Sequence, residues 1–144
     1  MTGFQIKLLT DQRDHWKELI DLGRLLRSFT CAFNGIYLAV KSEWNFRIHI
    51  TAMVLAIAVG VYLGLDCVEW GLVIFAIGLV LAAELFNTAV EKLGDDAAGG
   101  RQSSSMKWVK DISAAAVLIS AITALVIGII ILIVPFIQKI AGLF

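Results

Sequence analysis

Residues 70–96 read WGLVIFAIGLVLAAELFNTAVEKLGDD, and their character changes partway along. From Trp70 to Ala83 the stretch carries no charge, whereas from Glu84 onward it holds Glu84, Glu91, Lys92, Asp95 and Asp96. A helix needs roughly 20 predominantly apolar residues to cross the hydrocarbon core of a bilayer. Inside such a segment an ionisable side chain costs at least a few kcal/mol unless it is paired or faces water. Glu84, Asn87, Thr88, Glu91 and Asp95 fall at i, i+3, i+4, i+7 and i+11, so one face of a helix carries all five. Carboxylates interleaved with a carboxamide form an oxygen-rich surface suited to a hard cation such as Mg²⁺ and to taking a proton from a hydroxyl. Glu84, about three turns before Asp95, lies deepest and is the candidate base. For Asp95 and Asp96, solvation at a helix end explains the sequence equally well.

Two further segments, at about 48–65 and 112–137, are also long and apolar enough to span, joining a second span at about 70–90. The 144 residues are 59% hydrophobic with a mean hydropathy of +0.85, values too apolar for an ordinary soluble domain. The expected fold is therefore an all-α membrane protein with three transmembrane helices. Residues 1–42 form an N-terminal amphipathic, surface-lying region and residues 43–144 the three-span domain. In residues 12–42, Trp16, Leu19, Leu22, Leu25, Phe29, Phe33 and Tyr37 alternate with charges, the pattern of a helix lying along a membrane surface, and Gly23 and Gly35 are its expected break points.

Formal charge is zero, with 12 basic and 12 acidic residues, so nucleic acid is not an expected partner. The placement of the charges is more informative. Eleven of the twelve basic residues precede the first span or lie between the second and third, leaving Lys139 at the far end. The positive-inside rule then places the N-terminus inside and the C-terminus outside in a multi-pass protein. Trp44, Trp70 and Trp108 stand at expected span ends, where an amphipathic indole is favoured. Residues 66–69, DCVE, read as a short turn, and 94–106, GDDAAGGRQSSSM, as a mobile connection. The first 20 residues lack the pattern of a secretory signal, so no cleaved leader is expected. Cys31 and Cys67 flank the first span and read as packing residues.

Two more polar clusters border the same membrane level. In KSEWNFRIHI, residues 41–50, Glu43 and Arg47 are four apart, as are Asn45 and His49, which suggests an acid–base pair on one helix face. In KWVKDISAAAV, residues 107–117, Lys110 and Asp111 precede Ser113, Ala114 and Ala115, whose small side chains allow close helix approach. Carboxylates, a carboxamide and cations converging there suit phosphoryl transfer, which is largely positioning and charge stabilisation. No GxxxxGK[ST] occurs, so a nucleotide would be held by other means. A non-enzymatic ion carrier is the alternative, with the span-two glutamates lining a polar path.

At these residues the chain resembles the prokaryotic diacylglycerol kinase and undecaprenol kinase family. That family's E-x-x-N-[ST]-[AS]-[ILV]-E-x-x-x-D signature is matched from Glu84 through Asn87, Thr88, Ala89, Val90 and Glu91 to Asp95. Its E-x-N-x-R-x-H element is matched by Glu43, Asn45, Arg47 and His49, its Lys-Asp pair by Lys110 and Asp111, and its R-x-x-x-S-F by Arg24, Ser28 and Phe29. The resemblance covers about residues 24–135 and departs at Cys31, where Tyr is common, and in the loop, which lacks a His-Pro. It implies a homotrimer with composite sites that moves phosphate from ATP to the hydroxyl of a membrane lipid alcohol, undecaprenol favoured and diacylglycerol close behind. By position, Glu84 resembles the general base and Glu43 and Glu91 the Mg²⁺ ligands. Asn87, Lys110 and Asp111 resemble residues that position nucleotide or orient the base, and Arg24 stands where the family contacts nucleotide or lipid.

Overall fold

A computed structural model describes residues 22–98 and 104–142. The expectations for Trp16, Leu19 and the rest of residues 1–21, and for the middle of the 94–106 connection, fall outside the described residues. Every described element is helical: α1 (Leu22–Ser42), α2 (Trp44–Leu63), α3 (Cys67–Ala98), α4 (Ser104–Gly128), a π-helical turn (Ile129–Ile133) and α5 (Val134–Ile140). Three of the continuous helical stretches, Trp44–Leu63, Cys67–Ala97 and Ser104–Ile140, are long and apolar enough to cross a membrane. These helices run past the span limits read from hydropathy at every end but one, α2 stopping at Leu63, because a helix does not stop where the hydrocarbon does.

Two compact units divide between Leu38 and Ala39. In the first, Leu25, Leu26, Phe29, Phe33, Ile36 and Tyr37 are exposed, at the spacing of an amphipathic helix. Ser28 and Thr30 turn their hydroxyls back onto the carbonyls of Arg24 and Leu26, at 3.0 and 2.9 Å. The expected break at Gly35 does not occur, since α1 continues unbroken through it. One interior glycine costs about 1 kcal/mol, too little to interrupt a helix of this length.

In the second unit, a single extended residue, Glu43 (φ −105°, ψ 120°), separates α1 from α2. Arg47 closes this corner by donating from Nε to the Val40 carbonyl at 2.8 Å and from an Nη to the Lys41 carbonyl at 2.7 Å. Those oxygens belong to the last turn of α1, where no intrahelical donor remains and a cation is favoured. Its guanidinium also lies 5.9 Å from the Trp44 ring centroid. Arg47 therefore caps a helix and does not pair with Glu43. The i,i+4 spacing fails because Glu43 is the extended N-cap of α2 and does not share its face. Beneath the corner Ala39 and Phe46 are buried.

At the opposite end, Gly64 adopts the left-handed conformation (φ 77°) that favours glycine, and its N–H returns to the Gly60 carbonyl. Gly60 is needed for close packing, since a Cβ there would stand 3.0 Å from both Leu65 Cδ1 and Trp70 Cη2. Asp66 then caps α3. Its Oδ1 accepts from the N–H groups of Val68 and Glu69, both at 2.8 Å, while Glu69 Oε2 accepts from the Asp66 N–H at 2.9 Å. This reciprocal box makes DCVE mainly the entry to a helix, not a free turn. The third span passes through the π-helical turn, where the Val134 N–H reaches the Ile129 carbonyl, immediately before Pro135. Val73, Ile131 and Leu132 form the buried core, with Ala56, Val59 and Ile77 against them.

Most large apolar side chains point outward, as they do when lipid is the solvent. Cys31 and Cys67 are free and exposed, so neither is the packing residue expected. Their small, weakly polar thiols are tolerated on a lipid-facing surface as readily as in a core.

Asp66→Ala is expected to lower stability by about 1 kcal/mol through loss of the α3 cap. A denaturant titration of the detergent-solubilised protein, followed by circular dichroism, measures it.

Candidate functional site

The stripe predicted on α3 exists, and it is graded by depth. Glu84 and Asn87 are buried, at 3% and 6% exposure, Thr88 and Glu91 are half-buried, and Asp95 is exposed. At 1.5 Å per residue, Glu84 lies roughly 26 Å along α3 from Cys67, near the far limit of a ~30 Å hydrocarbon core. The remaining turns of this 32-residue helix extend beyond that limit.

Asn87 ties the stripe together. Its Nδ2 donates to Glu91 Oε1 at 3.1 Å, and its Oδ1 lies 2.7 Å from Ser113 Oγ on α4, which donates to it. The carboxylate can only accept, so it fixes the amide orientation and leaves Oδ1 for the hydroxyl. Ser113 Oγ is also 2.9 Å from the Lys110 carbonyl, and its single proton serves either acceptor. Lys110 Nζ reaches back to α3 and pairs with Asp95. These helices approach closely at Gly94, where a Cβ would stand 2.8 Å from Met106 Sδ and 2.9 Å from Lys110 Cε. Of the small residues expected to allow close approach, Ser113 meets α3 through Asn87, whereas Ala114 and Ala115 are exposed. The connection is also shorter than it reads, because α3 continues to Ala98 and α4 begins at Ser104.

Glu43 joins from the α1–α2 corner. It accepts from Ser42 Oγ at 2.8 Å and pairs with Lys92 of α3 at 3.2 Å. The Ser42 hydroxyl, and secondarily Lys92, hold its carboxyl below the usual carboxylate range against the opposing effect of partial burial. His49, Glu91 and Glu43 lie around Glu84, whose carboxylate accepts no hydrogen bond among the described residues. Asn45 and Asp111 are exposed and likewise make none. Arg24 belongs to the first compact unit and is described only within it.

No three His, Cys, Asp or Glu side chains among the described residues form a closed cation cage. Glu43 and Glu91 instead supply separate carboxylates near Glu84. That donor set suits a cation held by one or two carboxylates with phosphate and water completing its shell, as Mg²⁺ commonly is. The sequence reading missed Ser42, Lys92 and Ser113 as partners. Only Ser113 left a trace, one turn after Lys110.

Beyond Glu84 the bundle holds a groove of about 390 Å³ between α2, α3 and the third span, with His49 its polar lining residue.

Glu43 yields a pH test. A carboxylate depressed in the fold adds stability that is present above its unfolded pKa and lost as pH falls through its folded value. Ser42→Ala is expected to lower the unfolding midpoint at neutral pH, with the difference from wild type vanishing in acid. Midpoints measured across pH check this.

Residues 30–132 match the family model described as prokaryotic diacylglycerol kinase. The chain is 32% identical to the undecaprenol kinase of Bacillus subtilis over 121 residues, 84% of this chain and 95% of that one. It is 36% identical over 104 residues to a diacylglycerol kinase of Synechocystis, covering 72% of this chain and 59% of that protein. It is 29% identical over 103 residues to the diacylglycerol kinase of Escherichia coli K12, covering 72% and 84%.

Proposed function

The chain belongs to the prokaryotic diacylglycerol kinase family, a family of membrane lipid kinases, and from that premise we propose that it transfers phosphate from ATP to the hydroxyl of undecaprenol at the cytoplasmic face of the bacterial inner membrane. It is a multi-pass phosphotransferase with an alcohol acceptor, which sets the ion-carrier alternative aside. The polyprenol is favoured over diacylglycerol by the relative that spans nearly its whole length with this chain, whose name is undecaprenol kinase. The distribution of basic residues supports an inside N-terminus and an outside C-terminus.

The single observation that carries the mechanism is the buried Glu84 carboxylate on the stripe that also holds Asn87 and Glu91. Glu84 takes the proton of the lipid hydroxyl as its oxygen attacks the γ-phosphorus of ATP and the bond to the ADP oxygen breaks. A base at this depth meets a lipid hydroxyl at the headgroup boundary, whereas one on the loop would activate water and hydrolyse ATP. Glu91 and Glu43 would hold Mg²⁺, which would supply positive charge to screen the phosphates. Asn87, fixed by Ser113, keeps Glu91 in place. Lys110 leaves or shares Asp95 to meet phosphate, and Asp111 with Arg24 adds contacts to the nucleotide or lipid. The exposed Asp111 is one reason to favour a homotrimer, in which a neighbour completes the site.

Glu84→Gln is expected to cut turnover by ~10²–10⁴-fold while the protein stays folded. Glu91→Gln should chiefly raise the Mg·ATP concentration required. Near-normal turnover by Glu84→Gln would sink the base assignment. Radiolabelled ATP offered with purified undecaprenol and with diacylglycerol tests the substrate, and phosphorylation of diacylglycerol alone would exclude the polyprenol.

A further inference from the structure

The carboxylates of the site are not all held in the same way. Glu91 is fixed by the Asn87 amide, and Asp95 pairs with Lys110. Glu43, on the other flank, has a different cation: Lys92 Nζ stands 3.2 Å from its Oε1. Lys92 follows Glu91 directly in sequence, yet successive residues of a helix project about 100° apart, so the two leave α3 in different directions. By the same count Asn87 and Lys92 are about 140° apart. The amide is thereby turned toward Ser113 of α4 and the lysine toward the α1–α2 corner, with Glu91 between them in angle.

Two features distinguish this lysine from a structural pin. The corner is already closed without it, by Arg47 on the Val40 and Lys41 carbonyls and by the Ser42 hydroxyl, which donates to the same Glu43 oxygen at 2.8 Å. The Lys92 side chain is also 64% exposed against 21% for Glu43, so water solvates the ammonium whether or not the pair is made, and such a pair adds little stability. A lysine carries a compact point charge on a flexible stem, so it can change partners while its helix stays in place. A divalent cation approaching Glu43 meets that charge, and the two compete for one carboxylate. Metal ions in phosphoryl transfer bridge phosphate oxygens, so a nucleotide that brings a cation to Glu43 brings phosphate within reach of Lys92 as well.

The geometry points to Lys92 as a mobile cation of the phosphotransfer site: it neutralises Glu43 in the resting protein, opposes loading of a bare divalent cation, and passes to the phosphate of ATP when metal and nucleotide arrive together. The inference rests on the reading of Glu43 as a metal ligand and adds a nucleotide contact one residue beyond Glu91. No covalent bond is made or broken, since only the partners of one ammonium change. Lys92 is then a competitor of the metal alone and a contact of the metal with its nucleotide. Its removal should shift the two affinities in opposite directions, which loss of a merely structural ion pair does not do.

The test uses the full chain in detergent, with Mn²⁺ as a paramagnetic stand-in for Mg²⁺ and its binding read from the spin-resonance signal of the free ion, without nucleotide. Lys92→Gln is expected to tighten Mn²⁺ alone by about tenfold, the effect in water of removing one unit charge roughly 6 Å from a divalent ion. The same variant should need several-fold more Mg·ATP for half-maximal turnover. Lys92→Arg, which keeps the charge, should bind Mn²⁺ no more tightly than wild type. Lys107→Gln removes an exposed charge from α4 and should leave Mn²⁺ binding unchanged. Equal tightening in Lys92→Gln and Lys107→Gln, no tightening in Lys92→Gln, or tightening with Mg·ATP use unimpaired each overturns the proposal. Glu43→Gln separates it from the reading beneath. If that variant keeps wild-type Mn²⁺ binding and Mg·ATP use, Glu43 is no ligand and both fall together. If it weakens them while Lys92→Gln changes nothing, Lys92 alone is dismissed.

Discussion

A carboxylate set three turns inside an apolar helix is the constraint around which this bundle is organised. Water cannot solvate Glu84 fully at 3% exposure, and removing an ionised group from water costs several kcal/mol even after relaxation. The neighbourhood accordingly gathers polar groups from all three spans: His49 from α2, Asn87 and Glu91 from α3, and Ser113 with Lys110 from α4. Asn87 is the member that cannot be replaced by a simple charge. It donates to one helix-mate and accepts from a second helix, so a cation would lose the link to Ser113, whose proton would go to the Lys110 carbonyl alone, and a carboxylate would repel Glu91. Gly94 completes the arrangement by letting α4 approach closely enough for Lys110 to reach Asp95.

What was legible in the sequence follows from rules that act over one helix or from composition alone. Three spans, the α3 stripe and the depth of Glu84 come from hydropathy and a 3.6-residue period, and they survive without knowledge of neighbours. Pairings between elements were not legible. Glu43 and Arg47 look like an i,i+4 pair, but one extended residue breaks the helix between them. Arg47 then caps α1 while Glu43 crosses to Lys92. Backbone conformation at a single position decided that outcome, and spacing carries no record of it. The close contact between α3 and α4 likewise fell at one glycine on α3, while the run of alanines on α4 faces outward.

The corner at Glu43 shows how structural and functional demands share residues. Arg47 neutralises the carbonyl end of α1, which leaves Glu43 without the cation four residues after it. Its remaining partners, Ser42 and Lys92, keep the carboxyl ionised and hold it beside the α3 stripe. A divalent cation brought by a nucleotide would compete with Lys92, a side chain 64% exposed that can move to water at little cost. The pair therefore stabilises the corner weakly and yields readily, as suits a group proposed to ligate metal only when nucleotide is present.

The depth of Glu84 also reconciles two opposing needs of the proposed reaction. ATP is confined to water, whereas the acceptor hydroxyl is anchored by a tail that belongs in hydrocarbon. A base deeper in the bundle would be unreachable for a triphosphate, because the span beyond it is lined by apolar residues such as Val80 and Ala76. A base farther out, at Asp95, would sit where solvent is plentiful and 67% of the side chain is exposed, so water would compete with the lipid as acceptor. Along the stripe only Glu84 is at once buried, acidic and adjacent to the apolar groove. Its position on the boundary, more than its chemical identity, distinguishes it from the other carboxylates of α3.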